Sequence, residues 1–171
     1  MESGSRKYVF RKYSERFPAL FAYEKKRLRE IFPSALIEHV GSSAVPNLGG
    51  KGIVDVMVAV PKQSVASALR KLTAHEYEYT GRGGSQDRKF LRRIVRYAGR
   101  ERGVHIHLTH DGSHIWRAAV AVRNYLRRNK TIAREYAKLK RLAVREAGDD
   151  GKKYRRLKKD FLDQIERKAL R

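Results

Sequence analysis

Residues 37–60 read IEHVGSSAVPNLGGKGIVDVMVAV. The last eight, Ile53 to Val60, form a run rich in β-branched residues with almost no polar alternation, which predicts a strand buried on both faces. Asp55 is the only charged residue in that run. A carboxylate in such a place is costly unless it is paired, hydrogen-bonded or bound to a cation. Upstream, ALIEHV (35–40) predicts a second strand. The intervening GSSAVPNLGGKG (41–52) holds four glycines and a proline and reads as a loop.

Working outward, SERFPALFAYEKKRLREIF (14–32) places Phe17, Leu20, Phe21, Leu28 and Ile31 on one helical face, with Ser14 as the expected N-cap. An amphipathic helix is expected at 63–74 and a short edge strand at 77–80. GRGGSQD (81–87) is the most flexible-looking stretch. RKFLRRIVRY and VHIHLT then read as two further strands. From Ser113 the pattern changes to three helical segments, the last two separated by Gly148-Asp149-Asp150-Gly151. Strands first and helices later predict an α+β fold with a mixed β-sheet, an N-terminal helix and about three C-terminal helices. With 171 residues and 41% hydrophobic content, one domain over 1–171 is expected, its sheet-bearing part at 14–112 and its helical part at 113–171.

There is no cysteine, which excludes disulfides and thiolate metal sites. No apolar run is long enough for a membrane helix, and MESGSRKYVF lacks a signal-peptide core, so a soluble, cytoplasmic protein with no membrane partner is expected. The net charge is +22. It is uneven: residues 1–85 carry 14 basic and 8 acidic side chains, and residues 86–171 carry 26 and 10. Such a surface attracts polyanions. A solvated basic face with no specific partner has the same composition.

Strand alternation puts Ile53, Asp55, Met57 and Ala59 on one face. In VHIHL, His105 and His107 share a face, and Val104, Ile106 and Leu108 take the other. We expect a polar cluster of Asp55, His105 and His107, joined by His39, beside the Gly41-Ser42-Ser43 turn. That turn can present N–H groups and hydroxyls to a phosphate, especially where a helix begins. Lys51 adds a point charge but lies roughly 13 Å from Asp55 along an extended strand. Asp55 also suits a purely structural role beside a buried histidine or arginine. An H-x-H pair likewise suits two hydrogen-bonded imidazoles as well as a metal site. His75, His110 and His114 receive no role.

The stretch IEHVGSSAVPNLGGKGIVDVMV resembles the signature of the GrpB family. VHIHL matches that family's H-x-H strand, and WRAAVAVRNYLRRNKTIAREYAKLKRLA matches its downstream helical motif. The resemblance runs from about Phe17 to Leu170. It implies a nucleotidyltransferase-like fold of the polymerase-β superfamily. There a glycine-serine turn holds nucleotide phosphates, and a D-x-D pair with a third carboxylate holds divalent ions. Carried over, Gly41 and Ser42 match the phosphate turn, and Asp55 matches the first, catalytic aspartate. Met57 stands at the second aspartate. The H-x-H strand takes the place of the third carboxylate, which makes Asp55, His105 and His107 the implied metal ligands. A divalent ion, Mg²⁺, Mn²⁺ or Zn²⁺, is the implied cofactor, and this donor set suits Zn²⁺ or Mn²⁺ better than a Mg²⁺ pair. Arg123, Tyr136 and Lys140 also match family positions; where that helix face turns toward the cluster, Arg123 and Lys140 supply phosphate-binding charge. Asn47, Gly52 and Asn124 depart from the family's usual glycine, proline and aspartate.

Two functions follow as expectations. One is a nucleotidyltransferase-type pocket for a nucleotide or phosphorylated small molecule, with metal-dependent transfer. The other is a non-catalytic module that binds RNA or another polyanion through the basic C-terminal half. A third, a degenerate fold member that binds a partner protein, has no specific support in the residues.

Overall fold

A computed structural model of the chain describes residues 9–81 and 84–171. Most of the signal-peptide reading and part of the flexible-looking segment 81–87 fall outside them. The apolar run becomes β2 (Val54–Val60). It lies between β1 (Leu36–Val40), antiparallel to it, and β5 (Arg100–His110), parallel to it. β4 (Lys89–Tyr97) pairs antiparallel with β5, and β3 (Glu78–Tyr79) pairs antiparallel with β4. The five-stranded sheet has the order β1-β2-β5-β4-β3, the mixed sheet that the sequence predicts.

One face of the sheet is mostly apolar. Val54, Val56, Val58 and Val60 of β2 and Val104, Ile106 and Leu108 of β5 point to it, and they meet α1 (Arg16–Ile31) and α2 (Val65–Ala74). Leu28, Leu72 and Ile106 are fully buried there. Each contributes about 1.5–3 kcal/mol of transfer free energy. One carboxylate is sealed on this side. Glu24 is fully buried, accepts a hydrogen bond from the Tyr77 hydroxyl at 2.5 Å, and pairs with Arg93 at 3.3 Å.

The other face carries Asp55, Met57, His105 and His107 and looks toward α3 (His114–Arg128), α4 (Lys130–Ala147) and α5 (Gly151–Ala169). Ser113 caps α3 by accepting from the Trp116 amide, and Asp150 caps α5 by accepting from the Lys152 and Lys153 amides. Both are ordinary N-cap residues at helix starts. No helix among the described residues is long and apolar enough to cross a membrane.

Three local differences have simple causes. α1 begins at Arg16, so Ser14 stands before the cap position, although its hydroxyl still accepts the Arg16 amide at 3.2 Å. β5 begins at Arg100 rather than near Val104, because Ala98 and Gly99 both take positive φ (51° and 75°) and form a two-residue hairpin turn. The charged sequence Arg100-Glu101-Arg102-Gly103 hides that strand extension. β2 begins at Val54, since Gly52 turns the chain at φ 76°. The strand spacing therefore does not hold Lys51 away from Asp55.

The loop from 41 to 52 also explains two departures from the family pattern. Asn47 has φ 62°, a left-handed conformation that asparagine tolerates better than most residues. Gly52 occupies a conformation closed to proline, whose φ is fixed near –65°. Gly52→Pro, which restores the usual family residue, is expected to destabilise the fold by more than about 1 kcal/mol. Urea denaturation checks it, and an unchanged midpoint would show that the loop reshapes around proline.

Candidate functional site

The parallel register of β2 and β5 sets Asp55 beside His105 and Met57 beside His107. His107 Nε2 lies 3.1 Å from Asp55 Oδ1, and His105 Nδ1 lies 3.3 Å from the same oxygen. Phe90 of β4 packs on both rings, with centroids at 4.7 and 5.4 Å. Burial by itself would raise the Asp55 pKa. The hydrogen bonds from His105 and His107 outweigh it and hold the carboxyl well below the usual carboxylate range. Asp55 is therefore an ionised group kept on a largely apolar strand by two imidazoles.

Gly41 makes room for it. Its φ is 70° and ψ –168°, a region that only glycine occupies readily, and an added Cβ would stand 2.7 Å from Asp55 Oδ2. The backbone of the glycine-serine bend thus closes directly on the carboxylate. The bend itself is a single 3₁₀ turn, Ser42–Ala44. It is too short to act as the helix start that would favour a phosphate there.

Between this face of the sheet and the three C-terminal helices lies a cleft of about 800 Å³. Gly41, Ser42, Lys51, Asp55, His105, His107, Arg123 and Lys140 all line it. Lys140 is 2% exposed, its ammonium donates to the Gly49 carbonyl, and it lies 4.8 Å from the Tyr136 ring centroid. Lys51 and Lys158 share the Tyr154 ring, at 5.2 and 4.2 Å from its centroid. Burial, followed by repulsion from Lys158, pulls the Lys140 ammonium down to about 7. Burial, followed by repulsion from Lys51, pulls Lys158 down to about 8. Asp55 opposes both shifts without cancelling them.

Some predicted residues are placed elsewhere. His39 pairs in register with Val56, not Asp55, so it faces the opposite side of the sheet. There it stacks on Phe21 at 4.8 Å, its Nε2 lies 3.0 Å from Ser43 Oγ, and burial takes its pKa down to about 4. His39 therefore does not join the Asp55 cluster, and the buried Ser43 side chain turns to His39. Arg123 reaches the cleft edge, but its Nη1 donates to Glu38 at 2.5 Å and to the His39 carbonyl at 2.8 Å. Its Nε donates to Asn124 Oδ1, so asparagine retains an acceptor where the family usually has aspartate.

Lys158, Tyr154, Phe90 and Arg88, beyond the residues expected from sequence, also line the cleft. A signal for Lys158 was present: it interrupts the helical stripe Tyr154, Phe161, Leu162, Ile165, just as Lys140 interrupts Ala133, Tyr136, Ala137, Ala143. His114, assigned no role, ties α3 to α5 through Glu166 at 2.9 Å.

Among the described residues no group of three or more His, Asp or Glu side chains is arranged to hold a metal ion. Both imidazoles turn a nitrogen onto one Asp55 oxygen, and Met57 offers no carboxylate. These donors do not fit the pair of divalent ions that polymerase-β-type transfer uses.

The family profile described as GrpB protein matches residues 8–168. The chain belongs to the GrpB family. The crystal structure of conserved protein GrpB from Enterococcus faecalis is 31% identical, with a TM-score of 0.80 over 95% of this chain and 97% of that one. UPF0157 protein YqkA of Bacillus subtilis is 28% identical over 162 residues, which cover 93% of this chain and 46% of the relative. The present chain thus spans about half the length of that relative. A more distant likeness in fold, to the Cid1 poly(U) polymerase, has 14% identity and a TM-score of 0.46 over 76% of this chain. It is too remote to bear on activity.

Gly41→Ala in this GrpB-family chain is expected to cost about 1–3 kcal/mol, because the conformation is nearly closed to alanine and the methyl group collides with Asp55. Thermal melts of the single variant and of Gly41→Ala/Asp55→Gly check this, and the second substitution should recover the part due to the collision. The depressed Asp55 pKa has a pH signature. Its stabilisation is present above the unfolded carboxylate pKa of about 3.9 and is lost as pH falls below it. Between pH 5 and pH 3 the native protein should lose more stability than Asp55→Asn, and equal losses would show that the carboxylate is not held ionised.

Proposed function

We propose that the cleft binds the phosphate groups of a nucleotide or another phosphorylated small molecule. One observation carries this reading: Lys51, Lys140 and Lys158 line one cleft with Asp55 at its floor, and burial and mutual repulsion lower the pKa of two of them. Holding like charges together in a partly buried site is costly. An anion seated between them relieves that repulsion and restores full protonation. Ser42 lies within reach of the same point, since its Oγ and Lys140 Nζ both crowd the position of a Cβ on Gly50, at 2.5 and 3.4 Å.

The proposal is binding. The transfer step implied by the polymerase-β resemblance rests on several carboxylates, and Met57 leaves Asp55 as the one carboxylate of β2. RNA or polyanion binding draws on the same basic half. However, Arg155, Arg156, Lys158 and Lys159 of α5 line the cleft, which favours a ligand seated inside it.

ATP titrated calorimetrically into the protein tests the reading. Lys140→Met and Lys158→Met are each expected to weaken binding by about ten- to a hundredfold, the range for a lost hydrogen bond to a charged group. Affinity should also fall as pH rises from 7 to 9, because Lys140 and Lys158 lose their protons near about 7 and about 8. Unchanged affinity in both variants, together with a flat pH profile, would remove the lysines from the site.

A further inference from the structure

We infer that the cleft takes up a triphosphate without a divalent cation, with lysine and arginine side chains supplying the countercharge that metal ions supply in polymerase-β-type sites. The inference rests on the phosphate-binding reading and goes beyond it by fixing the ionic form of the ligand. Three observations support it. The groups available as metal ligands are already engaged with one another, since His105 and His107 both close on Asp55 Oδ1 at 3.3 and 3.1 Å. The neighbouring position on the strand, two residues along and on the same face, is Met57, a thioether that hard cations bind poorly. The third is the cation supply: Lys51, Arg88, Lys140 and Lys158 line the same cavity as Asp55.

Charge decides between the two modes. A triphosphate carries several negative charges, and a site built around paired metal ions needs carboxylates to hold those ions. This cleft has the opposite balance, with many basic side chains against Asp55, Asp163 and Glu166. A free triphosphate complements that field better than a magnesium complex, whose charge is already partly neutralised. Asp55 then serves to orient the imidazoles, and its own charge opposes the ligand.

The test is calorimetric titration of the full chain with ATP, and separately with inorganic tripolyphosphate, in EDTA and then in Mg²⁺, Mn²⁺ or Zn²⁺. Binding is expected to be equal or tighter in EDTA. Asp55→Asn, which keeps the shape and an acceptor oxygen, should bind equally well or up to about tenfold tighter, because a repelling charge has been removed. Binding that weakens more than about tenfold in EDTA and returns with a divalent ion would overturn the inference while leaving phosphate binding intact. Loss of binding in a folded Asp55→Asn would also overturn it. No binding of either ligand under any condition would overturn the phosphate reading itself, and this inference with it. The EDTA comparison uses the unmodified protein, so it decides even where the variant fails to fold.

Discussion

The interaction on which the rest depends is the contact between the Asp55 carboxylate and the two imidazoles of β5. A lone charge on an otherwise apolar strand would destabilise the sheet by several kcal/mol if left unpaired. The parallel register of β2 and β5 supplies the partners, and Gly41 lets the chain close over the remaining oxygen. The glycine-serine bend, the H-x-H strand and the aspartate therefore form one unit. Holding that charge by hydrogen bonds within the sheet leaves the lysines and arginines of the cleft wall in excess over its carboxylates.

The sheet separates two kinds of buried carboxylate. Glu24, on the α1/α2 side, is sealed by Tyr77 and Arg93 within an apolar core and has no route to a ligand. Asp55, on the other side, is 25% exposed at the floor of a cleft. The chemistry of the two side chains is nearly the same. The difference lies in what covers them: tightly packed helices on one face, and on the other a set of helices whose apolar stripes are interrupted by lysines.

Much of this was readable in the sequence because strand alternation is a strict rule. It placed Asp55 with Met57 and His105 with His107, and only the pairing of the two strands remained to be supplied. The same rule does not fix the face of His39. Its face relative to Asp55 depends on the register across a twelve-residue loop, and that register is set by Val40 pairing with Asp55. A shift of one residue would have reversed the outcome. Lys158 was passed over because a basic residue in a basic helix looks like solvated surface, and only its position within an apolar stripe distinguishes it. The β5 extension was hidden by charged residues on a strand whose outer end is exposed.

Residues 10 and 11 have a bearing on the cost of recognition. Arg11 exchanges both backbone hydrogen bonds with Gly50, at 2.6 and 2.9 Å, and Phe10 lies over Gly49 while its ring meets Arg141 of α4. The glycine-rich segment next to Lys51 is thus fastened from outside by a distant part of the chain. The entropy of ordering it is spent during folding, so an incoming ligand meets a wall already in its final shape and keeps more of its contact energy as affinity.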